Sequence, residues 1–90
     1  MSRHELVPLN PAHEVAVGWD RPLHTFFAQV LDVEADEDSD DRMILWIGAD
    51  FGAVPDPATA VDAVRPFAVI PADLVQVLRI EWAASVQRHR

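Results

Sequence analysis

The sequence has 90 residues, half of them hydrophobic, and its 15 acidic and 7 basic side chains give a formal net charge of −8. A chain of this length forms one domain with one core, and the apolar fraction with three tryptophans argues against disorder. Because cysteine is absent, disulfides, thiol catalysis and thiolate metal sites are excluded.

No targeting or membrane-spanning segment is predicted. The apolar runs are far shorter than the roughly 20 residues that cross a bilayer, and the first residues lack the pattern of a signal peptide. We therefore expect a cytoplasmic protein without membrane association. The basic residues are all arginine, and alanine and valine are frequent, which is typical of bacterial proteins from GC-rich genomes.

The start of the chain shows no hydrophobic periodicity. Pro8 and Pro11 lie within its first twelve residues. We expect an irregular N-terminal arm over residues 1–12 and a single α+β domain over residues 13–90.

Two strands joined by a tight turn are predicted next. Residues 13–19 alternate between apolar and other positions, and residues 25–33 are apolar on both faces, as in a central strand. Asp20 and Pro22 lie between them and favour a turn. Residues 13–33 are therefore expected to form a hairpin.

A third strand and a short helix follow an acidic loop at residues 34–41. The strand lies within residues 42–50 and is again apolar on both faces. Asp56 is expected to cap the helix, which has Pro57 in its first turn, and a capping box of Thr59 and Asp62 is the alternative start. Pro66 ends or kinks this helix, since it lacks a backbone donor.

The last helix is expected to have Pro71 in its first turn and to bury one face. The apolar residues of that face are Leu74, Val75, Leu78, Trp82 and Val86. The order of elements is β-β-β-α-α. The predicted fold is α+β, a three-stranded antiparallel meander followed by two helices packed on one face.

Apolar side chains exceed what a two-layer fold of this size can bury. Strands two and three are apolar on both faces, and the last helix carries a second apolar stripe. Large exposed apolar patches are typical of interfaces, so we expect a protein partner or a homodimer. The candidate partner-binding residues are Phe27, Leu31, Trp46, Val77, Ile80 and Ala84. Alternatively, the arm covers the free sheet face and the stripe packs on the short helix.

Most of the net negative charge is concentrated in one segment, because seven of the ten residues from 32 to 41 are acidic. They are Asp32, Glu34, Asp36, Glu37, Asp38, Asp40 and Asp41. The segment fits a solvated loop or a contact with a basic partner, and it lacks the glycine and terminal glutamate of an EF-hand. An alternative is a charge-mimicking inhibitor of a nucleic-acid-binding protein.

The densest polar cluster is the turn that contains Trp19, Asp20, Arg21 and His24. Asp20 and His24 are able to act as base and orienter in a small ligand binder or enzyme. Alternatively, Asp20 caps the turn and Arg21 forms an ion pair. No hydroxyl lies in a nucleophile motif, so we expect no enzyme and assign no catalytic residue.

Cofactor, metal and nucleic-acid sites are not expected. The four histidines lack ligand spacing, and the three glycines form no phosphate-binding loop. Direct contact with nucleic acid needs a basic face, which this acidic chain does not offer. The function favoured by the sequence is a non-enzymatic interaction or accessory module.

Part of the sequence resembles a group of small uncharacterised bacterial proteins. The likeness lies in the pattern GWDRPL-H-TFFAQV at residues 18–30, followed by LWIG at 45–48, PF at 66–67 and IPADL at 70–74. The resemblance implies a compact bacterial cytoplasmic domain. Because that group has no assigned activity, it carries over no catalytic or binding residue.

Overall fold

The computed structural model describes residues 2–36 and 38–87 of the chain. Within them, strands come first and α-helices last, which confirms the α+β class. The elements are β1 His4–Leu6, β2 His13–Asp20, β3 Thr25–Asp32, a 3-10 helix Asp40–Arg42, β4 Met43–Ile47, α1 Pro57–Val64 and α2 Leu74–Gln87. In the described part, neither helix is long and apolar enough to cross a membrane.

The strands form one antiparallel sheet in the order β1-β2-β3-β4. The predicted hairpin is present, because β2 pairs with β3 from His13 opposite Asp32 to Asp20 opposite Thr25. The prediction of three strands is wrong, since β1 adds a fourth strand at one edge of the sheet.

The N-terminal arm contributes that fourth strand and is not irregular throughout. His4 pairs with Val17 and Leu6 with Val15, and the Ser2 N–H donates to the carbonyl of Trp19 at 2.9 Å. A strand of three residues is too short to show hydrophobic periodicity. Its position depends on pairing with β2, which the local sequence does not reveal.

The hydrophobic core takes alternate residues of the two central strands. Val15 and Val17 of β2 belong to it, as do Ala28 and Val30 of β3. Its buried helical members are Ala60, Val61, Val64, Leu74 and Leu78. We call the sheet face that carries Val15 and Val17 the inner face, and the opposite one the outer face.

Helix α1 begins and ends as the sequence predicts. The Asp56 carboxylate accepts a hydrogen bond from the Ala58 N–H at 2.9 Å, and Pro57 is the first helical residue. The helix ends at Val64, ahead of Pro66. Local capping and the missing proline donor are therefore sufficient to set these bounds.

Helix α2 differs from its prediction in two respects. It begins at Leu74 rather than at Pro71. Leu74 and Leu78 are buried as expected, but Trp82 is 41% exposed, so its assignment to the core is wrong. Trp82 instead lines a cavity beside the start of α1, which leaves its ring partly open to solvent. The side chain of Val86 lies outside the described residues.

A buried hydroxyl group attaches the segment before α1 to the sheet. Thr25 is fully buried, and its Oγ1 accepts a hydrogen bond from the Val54 N–H at 2.7 Å. The same hydroxyl lies 2.9 Å from the carbonyl oxygen of Phe26, to which it donates. The Phe26 N–H in turn donates to the Val54 carbonyl at 3.0 Å.

Replacing Thr25 with valine is expected to lower the free energy of unfolding by about 1–3 kcal/mol, because the buried Val54 N–H loses its acceptor. Urea denaturation measures the change. Thr59→Val is the matched control, since this threonine is exposed on α1. We expect it to change stability by less than about 0.5 kcal/mol. Equal losses in the two variants would contradict a special role for the Thr25 hydroxyl.

Candidate interaction surface

The centre of the outer face is closed by side chains of the sheet itself. Phe27, a predicted partner residue, is only 7% exposed. A Cβ atom built on Gly18, its pairing partner, would stand 2.9 Å from Phe27 Cε1 and 2.1 Å from the Ser2 carbonyl oxygen. The phenyl ring therefore occupies the space above this glycine, and little of it is available to another molecule.

Three of the ten exposed large apolar side chains in the described residues lie on the edge strand β4. Met43, Ile44 and Trp46 are 38%, 39% and 53% exposed, and Leu31, which pairs with Met43, is half-buried. We call these four residues the β4 surface. Sequence reasoning selected Leu31 and Trp46 but missed Met43 and Ile44. The unbroken apolar run of the third strand was the signal that pointed to them.

A β-bulge divides β4 into two parts. Its pairing with β3 is regular over Leu45, Trp46 and Ile47 and then shifts, so that Ile44 is the extra residue. Bulges bend a strand and increase its twist. The straight part of this edge is therefore the half that contains Trp46.

A shallow hollow of about 150 Å³ adjoins Trp46 on the outer face. Arg3, Phe27 and Gln29 contribute to its lining. Arg3 Nη1 donates a hydrogen bond to Gln29 Oε1 at 3.3 Å, so these polar groups line the hollow together with the rings of Phe27 and Trp46. Its lining combines apolar and polar groups, and its volume lies below the roughly 300–1,000 Å³ of small-molecule pockets.

The acidic loop leads directly into β4. Five of its acidic residues are exposed: Glu34, Asp36, Asp38, Asp40 and Asp41. Asp32, the last residue of β3, is half-buried and accepts the Glu34 N–H at 3.0 Å, whereas Glu37 lies outside the described residues. The negative charge thus stands at the Met43 end of the β4 surface.

Hydrogen bonds within the acidic loop give it an ordered path. The Ser39 N–H donates to the Asp36 carbonyl at 2.9 Å, and Ser39 Oγ accepts the Asp41 N–H at 3.1 Å. Arg42 Nη1 donates to the Ala35 carbonyl at 3.3 Å. No group of three or more His, Asp or Glu residues in the described ranges is placed to hold a metal ion.

The predicted stripe on α2 forms a separate surface. Ile80 is 60% exposed, Ala84 is exposed and Val77 is half-buried. Glu81 on the same helix lies 2.7 Å from Nε2 of His4 on β1, at the edge of the sheet opposite β4. Of the six predicted partner residues, Phe27 is therefore buried and two lie on the β4 surface, whereas the other three lie on α2.

The polar turn is held by contacts within the chain. Asp20 Oδ1 accepts the Leu23 N–H at 3.2 Å, which is the predicted capping role. Trp19 is 3% exposed, and its ring centroid lies 5.4 Å from that of His24. His24 has a positive φ of 54° and stacks on Phe51 at 6.0 Å. Arg21 is exposed in the same turn. The arrangement orders the turn, with the indole of Trp19 inside the core.

A larger cavity, of about 330 Å³, lies between the start of α1 and the side of α2. Its lining consists of Phe26, Pro55, Asp56, Pro57, Arg79 and Trp82. Arg79 Nη2 and Asp56 Oδ1 are 3.7 Å apart, so an exposed ion pair forms part of the lining. Sequence reasoning missed this cavity because Trp82 has the helical spacing of a core residue.

Comparisons with known proteins add no functional assignment. The resemblance to small bacterial proteins stays a prediction, and the interpretation depends on the geometry of the surfaces described above. Neither protein-family models, nor curated proteins, nor solved structures gave a significant match to this chain.

Proposed function

We propose that this protein is a non-enzymatic interaction module that binds a basic protein partner through the β4 surface. The observation that carries the proposal is the run of exposed apolar side chains on β4, with Trp46 53% exposed, directly after the acidic loop. Aromatic residues in apolar patches commonly supply most of the binding energy of an interface. The acidic loop would select the partner by charge.

The position of the helices supports this assignment. We infer that α1 and α2 cover the inner face, as the order of elements predicts. The shared core of Val15, Val64 and Leu78 supports that inference, as does the contact between His4 and Glu81. On this arrangement the helices leave the outer face and the β4 edge free for a partner.

Charge favours a basic partner over a second copy. Seven acidic residues lie between positions 32 and 41, and each copy carries the full charge of −8. Opposite charge accelerates encounter and excludes partners of the wrong sign, while like charge opposes association. A charge-mimicking inhibitor would require acidic groups spread over a face, whereas here they are confined to one loop.

The test compares capture of a partner from a lysate of the native host by matched variants. We expect wild-type protein to retain a basic protein and Trp46→Ala to retain about 30-fold less, since an anchoring tryptophan contributes about 2 kcal/mol or more. Ile80→Ala is the control, because this apolar side chain, 60% exposed, is at least as open to solvent as Trp46 but lies on α2. It should retain the partner fully.

A second variant isolates the contribution of charge. Replacing Asp36, Asp38, Asp40 and Asp41 with asparagine keeps the size of the side chains and removes four charges. We expect weaker binding with a much smaller dependence on salt, because exposed charges act over about 8 Å at physiological ionic strength. A protein that retains no partner, or a partner held equally well by the Trp46→Ala variant, would contradict the proposal.

A further inference from the structure

We propose that β4 binds its partner by strand addition, with an extended segment of the partner pairing antiparallel to β4 as a fifth strand of the sheet. The inference rests on the function proposed above and specifies the partner. The segment would carry apolar side chains opposite β4, and basic side chains after them.

The backbone of β4 is the first support. In the described part of the chain, β4 pairs with β3 on one side and has no strand on the other. Alternate N–H and C=O groups of an edge strand point away from its neighbour and are available to another chain. Because the pairing with β3 is regular over Leu45, Trp46 and Ile47, the free edge of β4 is straight along these residues.

The two edges of the sheet differ in a way that singles out β4. Strand β1 has only three residues. Exposed Arg3 directly precedes it, exposed Glu5 lies within it, and Pro8 follows shortly after it. Short length, charge, proline and β-bulges are devices by which proteins discourage pairing at an edge. Strand β4, with the sequence MILWI, has five residues, no charged residue and no proline, and its bulge at Ile44 lies outside the regular stretch Leu45–Ile47.

Side chains on the outer face give the added strand its specificity. Residues directly opposite each other on paired strands have Cβ atoms about 5 Å apart. A partner residue opposite Trp46 would therefore contact the exposed indole from the free edge, on the side away from Gln29 of β3. A β-branched or aromatic side chain suits this position.

Antiparallel pairing sets the direction of the partner strand, and charge then sets the position of its basic residues. The three pairings between the described strands are all antiparallel, and antiparallel pairing is slightly more stable per residue than parallel pairing. It places the C-terminal end of the added segment beside Met43, where the acidic loop ends. Basic residues are therefore expected to follow the apolar ones in the partner.

A second copy fits the same edge less well. If two β4 strands paired antiparallel, each acidic loop would lie near the Ile47 end of the other copy, where exposed Asp50 follows. This arrangement brings like charges together, which is destabilising. The measured mass of the protein is therefore part of the test.

The experiment uses the full chain and end-blocked synthetic peptides as probes. In one peptide a Val-Thr alternation of six residues precedes three arginines, and in its control the same arginines come first. Two further peptides are N-methylated, one at the valines and the other at the threonines. Titration is followed by NMR, and hydrogen exchange is measured at the amides of Met43–Ile47.

We expect the peptide with C-terminal arginines to bind about tenfold more tightly than its control, because only its charges reach the acidic loop. Methylation of one alternate set should weaken binding by about tenfold or more, since it removes several backbone hydrogen bonds. Methylation of the other set should be tolerated. Alternate amides of β4 should exchange more slowly in the complex.

The opposite results separate this inference from the proposed function. If both methylated peptides bind as well as the parent, or if no peptide binds while the host partner is still lost with Trp46→Ala, strand addition is wrong and the interaction module stands. If the free protein doubles its mass with concentration and its β4 amides are protected, a second copy occupies the edge. If neither a host protein nor any peptide binds in a way that depends on Trp46, both proposals are wrong.

Discussion

Replacing Gly48 with alanine is expected to lower the free energy of unfolding by about 3 kcal/mol or more. Gly48 has a φ of +81°, a conformation that costs an alanine about 1–2 kcal/mol. In addition, a Cβ atom there would stand 2.1 Å from the Phe26 carbonyl oxygen and 2.8 Å from Phe27 Cα. Both atoms belong to the backbone of the central strand β3, so no side-chain rotation relieves the overlap.

Gly52→Ala is the control for this prediction. Gly52 also has a positive φ, of +65°, but a Cβ atom there would meet nothing within 4 Å. We therefore expect only the conformational cost, about 1 kcal/mol. Urea denaturation of the two variants measures the difference, and equal losses would show that the close approach of Gly48 to β3 contributes nothing.

Replacing Leu78 with alanine is expected to cost about 2–5 kcal/mol, because it removes buried methyl groups and leaves a cavity in the core. Leu78 is fully buried and lies in the same hydrophobic cluster as residues of β2, β3 and α1. In a domain of this size, each kcal/mol corresponds to roughly 4–8 °C in the melting temperature. The expected decrease is therefore at least about 8 °C.

Ile80→Ala on the same helix provides the comparison for Leu78→Ala. Ile80 is 60% exposed, so its truncation should change the free energy of unfolding by no more than about 0.5 kcal/mol. Thermal unfolding followed by circular dichroism measures both variants. Similar melting temperatures for the two would mean that Leu78 does not pack in the core as described.

Local sequence signals predicted those elements whose bounds are set by residues at their own ends. The cap at Asp56 and the break at Pro66 define α1, and the turn at Asp20 closes the hairpin of β2 and β3. Strand β1 could not be predicted in this way, because its three residues acquire a strand conformation by pairing with β2. Trp82 has the spacing of a core residue, but the cavity beside α1 is a property of tertiary packing.

The candidate site was predictable only in part for a similar reason. Trp46 follows from a strand that is apolar on both faces. Phe27 belongs to the same pattern, yet it is buried because the register places it opposite Gly18. Sequence alone does not give that register, although a glycine in the middle of a strand indicates the close approach of another group.

The order of the strands also has a consequence for how the chain folds. Each strand pairs with a strand next to it along the sequence, and such local pairing forms quickly. The contact between His4 and Glu81, 77 residues apart, is of the kind that closes late. Even after it has paired with β3, MILWI is an apolar, uncharged edge segment with one neighbouring strand, which is the kind of segment prone to aggregate. The acidic residues just before it are in the position of gatekeepers, which keep nascent copies of the chain apart.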